Sequence, residues 1–298
     1  MTLFHDISAF PITPTDTDGT VDVDGVGRLA AHLASSDVGS IGLLGSTGAY
    51  AYLTRTERRR AVAATVEAVG GKVPIMVGVG ALRTDEACLL AVDAEAEGAD
   101  GLLMAPMSYT PLTQDEVYEH YVAVSRTTGL PMCVYNNPGT THFTFGAPLL
   151  ERLAALPEIA AVKMPLPGTC TVKAELAELR AGPMGALAIG YSGDRGLIEA
   201  LSGGADAFYS VLAGFLPGLT VRLSRLVAAG RMKEISQVER QLQPLLELFK
   251  DLGGIRVAYA AASELHLADA EPPRPILSFS SEDRQRIAEA LDALRTAP

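Results

Sequence analysis

Lysine is scarce in this chain: five lysines, Lys72, Lys163, Lys173, Lys233 and Lys250, stand beside nineteen arginines. One of the five is out of place. Lys163 lies within the apolar run Ile159-Ala160-Ala161-Val162-Lys163-Met164-Pro165, where a solvated lysine is not expected and an unpaired ammonium is costly to bury. Burial should lower its pKa well below the ordinary lysine value of about 10.4. The product is a neutral amine at physiological pH, the form that attacks a carbonyl carbon to make a Schiff base. A structural ion pair with a carboxylate from a neighbouring strand is the alternative.

A second run, Pro131 to Pro138 (PMCVYNNP), alternates so that Cys133, Tyr135 and Asn137 share one face and Val134 and Asn136 the other. Tyr135 is the fifth residue of its run and Lys163 the fifth of its own, which suggests that phenol and amine are neighbours if the two runs are adjacent strands. A phenol beside a Schiff base can move protons; a tyrosine packed with its hydroxyl on backbone is the plainer alternative. The turn Gly45-Ser46-Thr47-Gly48 offers backbone N–H groups and two hydroxyls to a small carboxylate. Amine, phenol and anion-binding turn together compose a site for a 2-oxo acid.

These residues need a frame that brings them together. Short Val/Ile/Leu/Ala/Gly runs begin near Ile7, Ser40, Pro74, Gly101, Pro131, Ile159, Leu187 and Ala207, spaced by roughly 30 residues, the length of one βα unit. Thr54 with Glu57 and Thr113 with Glu116 fit the S/T-x-x-E capping box, which starts helices after the second and fourth runs. The runs are apolar on both faces, as in PIMVGVG at 74–80, which suits a parallel sheet covered by helices. Eight such units predict an α/β fold, a closed (β/α)8 TIM barrel over residues 1–230, in which the three groups fall at C-terminal strand ends, where barrel sites form. A doubly wound sheet is the alternative, but no G-x-G-x-x-G or Walker sequence follows a strand. From 231 to 298 the alternation gives way to a helical extension packed on the barrel, with helical patterns over 231–251, 253–267 and 281–296 and breaks at Pro272, Pro273 and Pro275.

Composition narrows the function classes. With 48% hydrophobic and 20% charged residues the chain can bury a large core. A formal charge of −11 repels the phosphate backbone that supplies most nucleic-acid affinity, so no nucleic-acid partner is expected. No apolar run approaches the roughly 20 residues that span a bilayer, and residues 1–10 lack a secretion-signal profile; a cytoplasmic enzyme with no membrane partner is expected. Cys88, Cys133 and Cys170 form no C-x-x-C and are expected to be buried free thiols. The five histidines show no metal-binding spacing; His142 alone falls in a βα loop.

The ordered motifs A-F-P-I-T-P at 9–14, G-S-T-G at 45–48, G-A-D-G-L-L at 98–103, Y-N-N-P at 135–138, V-K at 162–163 and S-G-D at 192–194 resemble the dihydrodipicolinate synthase and N-acetylneuraminate lyase family of pyruvate-type class I aldolases, over nearly the whole chain. The resemblance implies a (β/α)8 barrel with three C-terminal helices, a homo-oligomer (tetramer or dimer), and neither metal nor organic cofactor. It implies that Lys163 forms the imine, Tyr135 relays protons, and Ser46 and Thr47 hold the carboxylate of the 2-oxo acid.

Departures shape the substrate expectation. The synthases carry an arginine in the loop after Y-N-x-P, and Gly139-Thr140-Thr141-His142 has none. Their second tyrosine, in P-Y-Y, matches Ser108 here, so that Tyr109 takes the role only if the loop shifts by one. After the seventh strand the chain offers Tyr191, Ser192 and Asp194, a partial likeness to the polyol-binding groups of sialic acid lyases. The expectation is a lyase or aldolase that cleaves a 2-oxo-3-deoxy sugar acid to pyruvate and an aldehyde, its tail held by Thr140, Thr141, Ser192 and Tyr109. A dehydratase or deaminase using the same imine, an authentic dihydrodipicolinate synthase, and a catalytically silent binding protein are the alternatives.

Overall fold

The computed structural model describes residues 3–295. Eight parallel strands close into a barrel in sequence order: β1 (Asp6–Ala9), β2 (Ser40–Leu43), β3 (Ile75–Gly78), β4 (Gly101–Met104), β5 (Met132–Tyr135), β6 (Ile159–Pro165), β7 (Ala188–Ser192) and β8 (Ala207–Ser210). Around them lie α1 (Val23–Ala34), α2 (Arg55–Val69), α3 (Thr84–Ala96), α4 (Gln114–Ser125), the short α5 (Pro138–Thr141), α6 (Ala147–Ala154), α7 (Val172–Ala181), α8 (Leu197–Ser202) and α9 (Pro217–Ala228). Each strand starts within one residue of its expected position.

The double-sided apolar pattern has a direct cause. Met76, Leu103, Cys133, Tyr135, Ala161, Ala207 and Tyr209 pack inside the barrel, while their strand neighbours Ile75, Val77, Leu102, Val134, Val162 and Phe208 pack outward against the helices. Both directions are dry, so period two leaves no polar face to read.

The two capping sequences behave differently. Thr113 and Glu116 close a full box at the start of α4. Thr54 accepts from the Glu57 N–H, but the Glu57 carboxylate accepts instead from the Val21 N–H at 2.6 Å and binds Arg60. The tertiary partner outcompetes the local one, and α2 is thereby tied to the loop after β1.

The extension is α10 (Met232–Leu252), α11 (Gly254–Glu264) and α12 (Ser281–Arg295). α11 ends three residues short of the expected 267, where His266 takes φ 55°, and residue 296 lies outside the described residues. The Tyr259 hydroxyl donates to the Thr13 carbonyl at 2.8 Å, and the Glu271 and Arg274 amides donate to the Thr15 and Thr17 carbonyls. These bonds hold the extension against the loop that follows β1, at the mouth of the barrel. Among the described residues no helix is long and apolar enough to cross a membrane. The thiols are all free, but only Cys133 is buried; Cys88 is part-buried and Cys170 exposed. Cys170 lies on the loop between β6 and α7, outside both packed layers, which corrects the expectation of three buried thiols.

Candidate active site

Lys163 and Tyr135 are register partners on β6 and β5. The Lys163 side chain is 4% exposed, and its Nζ sits 3.9 Å from the ring centre of Phe10, 4.1 Å from that of Tyr135 and 5.6 Å from that of Tyr209. Among the described residues it makes no ion pair. Three aromatic faces therefore stand where a counter-ion would, and each attracts the cationic form within about 6 Å. The structural ion pair drops out as an account of this lysine.

Glycines make room for the cage. A Cβ on Gly42 would lie 2.3 Å from the Phe10 ring, and one on Gly45 would lie 2.7 Å from it. Phe10 thus packs directly on the backbone of β2 and its turn. Tyr209 closes the other side, its hydroxyl 3.6 Å from the Cys133 sulfur. Burial pushes the Cys133 thiol up to about 12, so it serves here as an inert apolar neighbour.

The G-S-T-G turn is set by the backbone before it. Leu44, buried, adopts φ 55°, an unfavourable region for a branched side chain. It persists because a Cβ on Gly78 would sit 1.9 Å from the Leu44 carbonyl oxygen: only glycine on β3 lets the turn come this close. Thr13 donates to the Gly48 carbonyl at 2.8 Å and fixes the far end. The turn presents the Ser46 hydroxyl 3.2 Å from the Tyr135 hydroxyl, which also accepts from the Asn137 amide at 2.8 Å. Asn137 shares the face of Tyr135, as the alternation predicts.

Above this floor lies a chamber of about 480 Å³. Ser46, Thr47, Tyr50, Tyr52, Ser108, Thr140 and Thr141 supply its hydroxyls, and Leu82, Met107, Val211, Ile255 and Ile276 much of its apolar wall. The last two come from the extension. No charged side chain lines it among the described residues. Thr140 and Thr141 are placed by α5, whose first turn they cap back to the Asn137 carbonyl.

Two expected tail-binding residues lie elsewhere in a single chain. Tyr109 is 97% exposed; Ser108 takes the lining position, and the next side chain points outward. The Ser192 hydroxyl is spent on the Met164 carbonyl at 3.3 Å. Of the neighbouring groups, His142 is exposed, Tyr191 is buried, and Asp194 is a buried structural carboxylate accepting from the Ser210 hydroxyl and the Val211 and Leu212 amides. Its burial raises its pKa despite those bonds and despite Lys163. Phe10, Tyr209 and Tyr50 are site residues that spacing alone did not reveal; Tyr50 follows the G-S-T-G turn by two positions, which is the one local signal.

The sequence profile of the dihydrodipicolinate synthetase family matches residues 3–294. The chain belongs to that family. This dihydrodipicolinate synthetase family member is therefore a class I lyase of the Schiff-base type. It is 30% identical over 292 residues to the 4-hydroxy-tetrahydrodipicolinate synthase of Gluconacetobacter diazotrophicus, covering 97% of each chain. The Methylococcus capsulatus enzyme of the same name is 32% identical over 282 residues, 94% of each. Among solved structures, a dihydrodipicolinate synthase from Agrobacterium tumefaciens shares 53% identity with a TM-score of 0.95 over 98% of both chains. A dihydrodipicolinate synthase from Acinetobacter baumannii, solved with pyruvate, shares 26% with a TM-score of 0.87, covering 99% of this family member and 100% of that chain.

Proposed function

We propose that Lys163 attacks the carbonyl of pyruvate, or of a pyruvate-yielding 2-oxo acid, and holds it as an imine while carbon–carbon bonds are made or broken beside it. The observation that carries this reading is the alignment of Tyr135 with a buried Lys163 on the next strand that makes no ion pair among the described residues. Tyr135 relays protons, Ser46 and Thr47 hold the carboxylate, and Thr140 and Thr141 face the remainder of the substrate. The iminium acidifies the neighbouring carbon, and the same step serves condensation, cleavage, dehydration or deamination.

The names of the relatives support condensation of pyruvate with aspartate semialdehyde, and they favour that synthase reading over the sugar-acid lyase expected from the sequence. A specific observation supports the lyase as a second reading: the chamber wall of one chain carries no charge to meet a second carboxylate. The deciding experiment runs pyruvate with aspartate semialdehyde in a coupled reductase assay, beside a panel of 2-oxo-3-deoxy sugar acids scored for pyruvate, aldehyde and ammonia release. Turnover in the first assay alone establishes the synthase, and in the second alone the lyase or its dehydrating and deaminating relatives. Turnover in neither, with no imine trapped, leaves a binding protein. A homo-oligomer, dimer or tetramer, belongs to the proposal and is read by light scattering.

A further inference from the structure

Both readings above share the pyruvate half of the reaction and differ in the aldehyde. The chamber wall bears on that second half. Ile255 and Ile276 line it from the extension, and Met107 and Val211 from the loops after β4 and β8. Ile276 is 9% exposed, and Met107, Val211 and Ile255 are part-buried. Leu82 and Tyr52 continue this apolar surface to the mouth, where both are exposed.

Local structure fixes the wall in place. Gly253, at φ 86°, turns the chain between α10 and α11 and brings Ile255 to the chamber two residues later. The Ile276 amide donates to the Pro273 carbonyl at 3.1 Å, and the Arg274 amide ties the same turn to the Thr17 carbonyl at 3.0 Å. Thr13 joins wall to floor: its carbonyl accepts from Tyr259 of α11, and its hydroxyl donates to Gly48, at the end of the turn that carries Ser46 and Thr47.

The polar groups nearby are already engaged. The Thr141 hydroxyl donates to the Asn137 carbonyl at 2.9 Å and accepts from the Phe143 amide at 3.3 Å, and the Thr140 hydroxyl turns to the same carbonyl at 3.4 Å. Ser46 and Thr47 belong to the pyruvate half. Ser108 and the phenols of Tyr50 and Tyr52 remain to meet a tail, and the two rings are themselves apolar surface. A polyol buried there would leave hydroxyls without partners, and a carboxylate would find no cation among the described lining residues.

We propose that the chamber selects an aldehyde with an uncharged, apolar body, aliphatic or aromatic, and that Ile255 and Val211 set this preference. The inference rests on the imine reading above. With pyruvate held on Lys163 as the enamine, the C2–C3 π pair forms the new bond from C3 to the aldehyde carbon, and the nitrogen lone pair restores C=N. The aldehyde π pair passes to its oxygen, which takes back the proton lost from C3. Water then releases a 4-hydroxy-2-oxo acid and regenerates the amine. The apolar body does not react; its transfer from water to the wall raises kcat/KM.

The test pairs pyruvate with propanal, butanal, pentanal and hexanal, with benzaldehyde, and with glyceraldehyde and aspartate semialdehyde, each condensation product being followed by mass spectrometry. Borohydride trapping of pyruvate at Lys163 is measured alongside. kcat/KM should climb about three- to fourfold with each added methylene, and hexanal and benzaldehyde should each exceed glyceraldehyde and aspartate semialdehyde by about tenfold or more. Val211→Thr, which keeps the branched shape, and Ile255→Thr should flatten the slope, with each variant normalised to its own propanal value so that a general loss of activity cancels. Normal trapping with a flat series, or with glyceraldehyde or aspartate semialdehyde preferred, overturns the apolar class and leaves the imine reading intact. A slope undiminished in both variants takes the preference away from these two residues. Failure of the native protein to trap pyruvate overturns the imine reading and this inference with it.

Discussion

Tyr135 and Lys163 stand side by side on adjacent parallel strands, with the amine 4.1 Å from the centre of the phenol ring. Pyruvate with borohydride should therefore add one reduced pyruvyl group, mapped by peptide mass spectrometry to Lys163. An adduct on any other lysine defeats the mechanism. Lys163→Met should lose turnover by several orders of magnitude and melt no lower than the native protein, because it removes a buried amine that has no ion-pair partner to orphan. A large drop in melting temperature would restore the structural role for this lysine.

Tyr135→Phe keeps the ring against the Lys163 amine and deletes the hydroxyl that meets Ser46 and Asn137. Imine trapping should survive while kcat falls on the order of 10²- to 10⁴-fold. Near-native turnover would move proton transfer to another group.

Gly78→Ala places a carbon against the Leu44 carbonyl, where 1.9 Å is left. Relieving that clash displaces the turn that presents Ser46, and a loss of about 1–3 kcal/mol in denaturant unfolding is expected, together with a raised KM for pyruvate. Gly168→Ala, which meets nothing within 4 Å, is the control and should shift stability by less than about 0.5 kcal/mol. Equal behaviour of the two variants would show that the turn is not held by this approach.

Asp194 binds its proton more tightly folded than unfolded, because burial outweighs the Ser210, Val211 and Leu212 hydrogen bonds and the nearby Lys163. Its contribution to stability is thus fully present below the ordinary aspartate pKa of about 3.9 and falls as pH rises through the higher folded value. Asp194→Asn does not titrate. The native-minus-variant difference in unfolding free energy should decline from pH 4 upward; a rise would reverse the assignment.

Thr140 lines a chamber without charge, so Thr140→Arg supplies a cation for a second carboxylate. The ratio of kcat/KM for aspartate semialdehyde to that for a neutral sugar-type aldehyde should increase at least tenfold, about 1.4 kcal/mol. An unchanged ratio would mean that the tail lies away from α5.

Local chemistry made much of this molecule legible. Strand starts at Ser40, Gly101, Ile159 and Ala207 follow from apolar runs closed by turn residues, and the Thr113–Glu116 box marks α4, because both depend on neighbours a few residues away. The lone apolar-strand lysine announced itself by type. Its pairing with Tyr135 was decided in three dimensions: β5 begins at Met132, one residue later than its run suggests, and a register shift after Met132 pairs Cys133 with Ala161 and so passes over Ala160. Without that bulge Tyr135 would face Val162. The Glu57 carboxylate likewise left its own helix cap for Val21, 36 residues away. The cage around Lys163 draws Phe10 from beyond β1 and Tyr209 from β8, and the chamber wall draws Ile255 and Ile276 from the extension. Such groups meet only when the last strand closes on the first, since spacing along a chain carries the period of a strand but not the identity of the side chains that will face it across a barrel.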